Sequence, residues 1–116
     1  MIFSEDPLAA ALLGAAVELA GFEPAFPLSG ESPREALLRK RPPLVLVECD
    51  HEAACRPGFF GPALMTGARV VLLSGRRTRQ PAEPIAARFG LRTLRMPADL
   101  ASIAALLETE LEAAGR

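Results

Sequence analysis

An acidic side chain stands where the most apolar stretch of this 116-residue chain ends. Leu44–Val47 is an unbroken run of β-favouring residues, and it closes in Glu48, Cys49 and Asp50. A short run without polar alternation is typical of a strand buried on both faces in the middle of a parallel sheet. Ligands and chemistry lie just past the carboxyl ends of such strands, so Glu48 is the first candidate site residue. Asp50 would lie on the same side if the strand continued, although capping a turn is the favoured interpretation for it.

The segment after this strand carries a second kind of candidate site. Cys49, Asp50, His51 and Cys55 offer two thiols, one carboxylate and one imidazole, which together form a plausible zinc set. Their spacing matches no standard zinc finger, so the favoured alternative is a surface loop with one or both cysteines turned inward.

A third candidate is basic. Arg76, Arg77 and Arg79 follow a second buried apolar run and, with Arg56 and Arg95, could bind an anion such as phosphate or a nucleotide. The competing interpretation, and the favoured one, is a solvated basic loop.

Composition narrows the class of protein. A formal net charge of −1 gives no global field towards nucleic acid or anionic lipid. Two cysteines favour a reduced, cytoplasmic protein over a disulfide scaffold. The apolar stretch 8–20 is too short to span a bilayer and is interrupted by Glu18. The length suits one domain, over residues 1–116.

Apolar periodicity and capping residues predict strands and helices in alternation. The predicted strands are 1–4, Phe22–Phe26 as an edge strand, Leu44–Val47, Arg69–Ser74 and Leu91–Arg95. The predicted helices begin at Asp6–Pro7, at Ser32–Pro33, near Pro62, at Pro81 and at Pro97–Asp99, the last running to about Ala114. Five such units predict a flavodoxin-like three-layer α/β/α sandwich with a five-stranded parallel sheet in the order 2-1-3-4-5.

Several phrases, in this order, resemble the receiver domain of bacterial two-component response regulators. They are EDPL, AGFEP, GESPREALLRKRPPLVLVE, VVLLSG and RMP, and they cover nearly the whole chain. The resemblance implies a phosphoacceptor at the end of the third strand, two acids that hold Mg²⁺, a hydroxyl after the fourth strand and a lysine after the fifth. It also implies signalling through protein partners.

The positions of this chain depart from that set. The resemblance places the phosphoacceptor on Glu48, the acid pair on Ser4 and Glu5 beside Asp6, the hydroxyl on Ser74, the lysine on Met96 and the switching aromatic on Thr93. Glutamate is one methylene longer than aspartate, and phosphoryl transfer depends on positioning and on charge stabilisation. Met96 supplies no cation to offset a developing charge.

We therefore interpret the sequence as a pseudo-receiver, a module that signals without a normal phosphorylation cycle and is not an enzyme. Mg²⁺ would have only Glu5 and Asp6 as weak ligands, and no other cofactor is expected. The expected partner is a histidine kinase or a downstream effector, with no direct contact to nucleic acid or membrane. Weak self-association through the last strand and last two helices is also expected. The alternatives are an anion-binding domain that uses Arg76–Arg79, and a working phosphoacceptor that uses Glu48 or Asp50.

Overall fold

The computed structural model describes residues 1–48, 55–75, 82–96 and 99–114, apart from the side chains of residues 57, 113 and 114. Strands and helices alternate along most of it. They are β1 (Ile2–Phe3), α1 (Pro7–Leu19), α2 (Pro33–Lys40), β2 (Leu44–Glu48), α3 (Pro57–Met65), β3 (Arg69–Ser74), α4 (Ala82–Phe89), β4 (Arg92–Arg95) and α5 (Leu100–Ala114).

The described strands form one parallel sheet in the order β1-β2-β3-β4. Ile2 lies beside Leu46 and, further along the sheet, Val45 lies beside Val70. This register confirms the two apolar runs as its central strands, and their buried residues are at most 6% exposed.

The prediction of a second strand at Phe22–Phe26 is wrong. This segment lies along the outer edge of β1, where the Ile2 amide donates to the Ala25 carbonyl over 2.9 Å, but it is not a strand. Pro24 and Pro27 have no N–H group to donate, so a continuous ladder cannot form there. The sheet therefore has four strands instead of five among the described residues, in the predicted order without its edge strand.

Alternation along the strands separates two apolar layers, one on each face of the sheet. On one face Val45, Val47 and Leu72 pack with side chains of α2, α3 and α4. On the other face Leu46 and Val71 pack with side chains of α1 and α5. The predicted α/β/α sandwich is thus confirmed. In the part of the chain described, no helix combines the length and hydrophobicity that crossing a bilayer requires.

The helix starts follow the capping residues. Asp6 accepts from the Leu8 amide over 3.0 Å, and Ser32 accepts from the Glu35 amide over 3.2 Å. One prediction needs correction: α3 begins at Pro57, well before the predicted start near Pro62. Proline at the first helical position suits a helix start. Burial of the adjacent Phe59 and Phe60 outweighs the loss of the backbone hydrogen bond that Pro62, without an N–H group, cannot donate inside the helix.

An ion pair between Glu31 and Arg39 links the loop that follows residues 22–26 to α2. The Arg39 Nε lies 2.6 Å from Glu31 Oε2, and the Leu28 amide donates to Glu31 Oε1 over 2.9 Å. The hydrogen bond from Arg39, with that from Leu28, lowers the pKa of Glu31 to about 2 from an ordinary 4.5.

Because the folded pKa is the lower one, the stability from this carboxylate is complete above about pH 4.5 and is lost as pH falls towards about 2. We expect Glu31→Gln to be less stable than the natural sequence at pH 7, and the difference to shrink at pH 3. Urea unfolding at both pH values measures it. A difference that does not change with pH would contradict this assignment.

Candidate functional site

The candidate residues converge at the carboxyl end of the sheet. Ser4 and Glu5 directly follow β1, Glu48 is the last residue of β2, and Ser74 is the last residue of β3. Met96 directly follows β4. Because parallel strands end on the same side of a sheet, four separate parts of the chain meet at this edge.

The Glu48 carboxylate is tied to the turn after β1. The Ser4 hydroxyl donates to Glu48 Oε2 over 2.7 Å, and the Glu5 amide donates to the same oxygen over 3.0 Å. Both Ser4 and Glu48 are half-buried. Hydrogen bonds to a charged acceptor are roughly twice as strong as neutral ones. To attack a phosphoryl group through this oxygen, or to bind a metal with it, Glu48 would have to give up two donors.

The two acids beside Ser4 do not converge on Glu48. Glu5 and Asp6 are both exposed, and Asp6 uses Oδ1 to cap α1 through the Leu8 amide. The Asp6 amide in turn donates to the Ser4 hydroxyl over 3.2 Å. The Ser4 side chain therefore organises the turn, and Asp6 serves the start of the helix.

The hydroxyl and lysine positions are joined through the backbone. The Met96 amide donates to the Ser74 carbonyl over 2.6 Å, which continues the pairing of β3 with β4. The Met96 side chain is half-buried and packs against the apolar layer of α1 and α5. No hydrogen bond links the described side chains of Ser74 and Glu48. A thioether therefore stands where the resemblance implies a cation.

The residues described here do not fit Mg²⁺. This ion needs near-octahedral oxygen ligation, usually with one or two carboxylates. The Ser4 hydroxyl donates to Glu48 and accepts from the Asp6 amide, and Asp6 Oδ1 accepts from the Leu8 amide at the start of α1. Among residues 1–48, 55–75, 82–96 and 99–114, no three His, Cys, Asp or Glu side chains form a metal-binding group.

Several predicted site residues lie outside the described residues. They are Cys49, Asp50, His51, Arg76, Arg77 and Arg79. Cys55 is described and is buried, while Arg56 and Arg95 are exposed. The zinc set, the displaced acceptor and the anion-binding loop stay predictions.

Sequence reasoning missed the Ser4–Glu48 hydrogen bond and a cavity at the opposite end of the sheet. The cavity, of about 220 Å³, is lined by Met1, Val17, Phe22, Leu44 and Leu111 among others, and by none of the predicted site residues. A hydroxyl in place of an acid at Ser4 was the one sequence signal for the hydrogen bond.

Known structures share this architecture. Over 98% of this chain, NtrX from Brucella abortus in complex with ADP superposes with a TM-score of 0.77 at 16% identity. The signal receiver domain of the putative LuxO repressor protein from Vibrio parahaemolyticus superposes over 98% of this chain and 89% of its own, with a TM-score of 0.74 at 14% identity. The adenylate cyclase from Rhodopirellula baltica gives 0.71 at 18% identity, over 97% of this chain and 86% of its own.

These similarities establish the class of fold. The chain has the flavodoxin-like fold of receiver domains, as the resemblance implied, without the edge strand. It spans about a quarter of the length of the NtrX structures, 26% in the complex with ADP and 27% in the complex with ATP. No protein-family profile matches the sequence, and no curated protein matches it.

Proposed function

We propose that this chain is an atypical receiver module that acts through contacts with another protein and has no phosphorylation cycle of its own. The observation that carries the proposal is the pair of hydrogen bonds from Ser4 and Glu5 to one oxygen of Glu48. They engage one of the two carboxylate oxygens at the phosphoacceptor position and link it to the acid position. A receiver that cycles needs these positions open to a metal and a phosphoryl group.

The chemistry of the other positions supports the same proposal. Phosphoryl transfer is carried mainly by positioning and by charges that offset the developing negative charge. At the described edge of the sheet, the lysine position holds the half-buried thioether of Met96. A phosphoryl dianion beside Met96 would meet an apolar group in place of the cation that the resemblance implies there, which is costly.

A hydrogen-bonded glutamate can also imitate a phosphorylated aspartate in charge and reach. On this proposal the module stays in one state, and only a partner or a ligand changes that state. The partner class is the one that the resemblance implies, a histidine kinase or a downstream effector. The module itself carries out no catalysis.

The proposal is tested by titrating Mg²⁺ into ¹⁵N-labelled protein, with and without beryllofluoride, while amide shifts are followed by NMR. We expect no saturable shifts at Glu5, Glu48 or Ser74 up to millimolar Mg²⁺, because the Glu48 oxygen keeps its two donors. An ordinary receiver domain, titrated in parallel, shows that the reagents are active.

The matched variant is Ser4→Asp/Glu48→Asp/Met96→Lys, which restores an acid, the shorter acceptor and the cation at once. We expect this variant to gain Mg²⁺-dependent beryllofluoride shifts that the natural sequence lacks. Saturable shifts in the natural sequence, or a mass increase of the natural protein with acetyl phosphate and Mg²⁺, would refute the proposal.

A further inference from the structure

The cavity of about 220 Å³ at the amino-terminal end of the sheet has an apolar interior. Leu44 and Leu46 of β2 line it together with Val17 of α1, Leu111 of α5 and the segment 22–25. Leu44 is 6% exposed and Leu46 is 1% exposed, so this interior reaches the buried part of the sheet. All but two of the residues that line the cavity are apolar. Ligand sites typically combine such a lining with a few polar groups that orient the ligand.

Backbone hydrogen bonds hold the walls of the cavity in place. The Phe22 amide donates to the Val17 carbonyl over 3.0 Å, which joins the end of α1 to the segment that follows it. The Ile2 amide donates to the Ala25 carbonyl over 2.9 Å, which joins the same segment to β1. β1 is in turn paired with β2. The cavity is therefore formed before a ligand enters, and binding does not have to order these segments.

The two polar residues that line the cavity carry opposite charges. Glu23 and Lys40 are both exposed, so they lie at its mouth. In the part of the chain that the structure describes, neither side chain forms an ion pair with the other or with a third residue. A carboxylate and an ammonium group thus stand, without partners of their own, at the opening of an apolar cavity.

We propose that this cavity binds a free apolar α-amino acid of the size of leucine or methionine. The side chain enters the apolar interior, the ammonium group lies against Glu23, and the carboxylate lies against Lys40. A free amino acid carries both charges next to its side chain, whereas the end of a peptide carries only one of them. The proposal does not rest on the proposed function, since none of the described residues around Glu48 lines the cavity.

The volume of the cavity agrees with this ligand. An apolar cavity of about 150 Å³ accepts benzene, which has six non-hydrogen atoms. At the same packing, 220 Å³ holds about nine non-hydrogen atoms, the number in leucine and in methionine. Glycine and alanine would leave most of the apolar interior empty.

The charged residues around the mouth divide in the same way as Glu23 and Lys40. Glu18 and Glu112 are exposed near the carboxyl ends of α1 and α5, and Arg41 is exposed directly after Lys40. None of these three lines the cavity. Acids therefore lie towards α1 and α5 and bases lie at the end of α2, which favours one orientation of the amino acid.

Met1 also lines the cavity, and its amino group does not oppose the ligand. This group is buried and donates to the Leu44 carbonyl over 3.1 Å. Burial lowers its pKa to about 6, so it is largely uncharged at pH 7.5 and does not repel an ammonium group. Glu23 and Lys40 therefore determine which charges the mouth accepts.

The test is a titration of ¹⁵N-labelled protein with L-leucine at pH 7.5, followed through amide shifts by NMR. We expect saturable shifts at Val17, Leu44 and Leu111 with a dissociation constant on the order of 1 mM, because the site is small and its two charges are exposed. L-Methionine should bind similarly, and glycine, which lacks the side chain, should give no saturable shift. 4-Methylpentanoate lacks the ammonium group and 3-methylbutylamine lacks the carboxylate, and each should bind about threefold more weakly than leucine.

Two charge-reversal variants test the two ends of the ligand separately. Lys40→Glu should weaken binding of leucine about threefold or more and strengthen binding of 3-methylbutylamine. Glu23→Lys should also weaken binding of leucine, but it should strengthen binding of 4-methylpentanoate. Arg34→Glu is the matched control, because Arg34 is exposed on α2 and does not line the cavity. It changes the net charge as Lys40→Glu does and should leave every dissociation constant unchanged.

Three results would overturn the proposal. The first is a natural protein that shows no saturable shift with L-leucine or L-methionine up to about 50 mM. The second is a set of shifts centred on Glu48 instead of the residues that line the cavity. The third is leucine binding that neither Lys40→Glu nor Glu23→Lys weakens, which would show that the two charges do not hold the ligand.

Discussion

Replacing both Arg69 and Arg92 by methionine is expected to lower the free energy of unfolding by about 3 kcal/mol or more. The two arginines begin β3 and β4, and each donates through Nε to Glu110 of α5, over 3.1 and 2.9 Å. Glu110 is only 2% exposed, whereas the arginine side chains are 46% and 55% exposed. The double variant would leave the buried Glu110 carboxylate without a counter-charge. Methionine preserves most of the packing of the arginine stems.

Removing the Glu110 carboxylate instead of the two arginines should lower the free energy of unfolding much less. In Glu110→Leu both arginines stay hydrated, and the leucine fills most of the volume of the glutamate side chain. We therefore expect the free energy of unfolding to change by no more than about 1 kcal/mol. Combining all three substitutions should recover most of the loss of the double variant. Urea unfolding at pH 7 measures the whole set. If the double variant were no less stable than Glu110→Leu, burial of the carboxylate would not be the reason for the pair.

The Arg69–Glu110–Arg92 cluster also links the last strand and the last helix to the centre of the sheet, at the end opposite Glu48.

Phe60→Ala is expected to destabilise the protein by about 4 kcal/mol. The side chain is 0% exposed, and its ring lies 6.1 Å from that of Phe59 and 5.3 Å from that of Phe89. The Phe59 ring in turn lies 5.3 Å from that of Phe3, so the four rings join β1, α3 and α4. Deletion of the central ring leaves a cavity that helices on both sides cannot fill.

The control for this variant is on the same helix. Met65 is 89% exposed, so Met65→Ala should change stability by no more than about 0.5 kcal/mol. Domains of this size are stable by roughly 5–15 kcal/mol, so the loss at Phe60 is a large part of the whole. Thermal and urea unfolding compare the two. A loss below about 1 kcal/mol at Phe60 would show that the four rings do not support the core.

The sequence by itself determined the features that depend on neighbouring residues. The unbroken apolar run Leu44–Val47 predicted a central strand because a strand buried on both faces has no place for polar side chains. Asp6 with Pro7, and Ser32 with Pro33, predicted two helix starts through local hydrogen bonds and a fixed φ angle. The alternation of such elements was enough for the α/β/α fold and for the location of the candidate site at the strand ends.

Only the tertiary structure decided the contacts between residues distant in the chain. Whether 22–26 pairs as a strand depended on which donors meet the edge of β1, and neither Pro24 nor the following Pro27 supplies one there. The two hydrogen bonds to Glu48 bridge more than forty residues of chain, and they exist because the register of β1 on β2 brings both strand ends together. The tertiary structure also decided which residues of α1 are exposed, among them Leu8 and Leu19. Because α1 carries apolar residues on all sides, only its packing on the sheet determines which of them stay exposed.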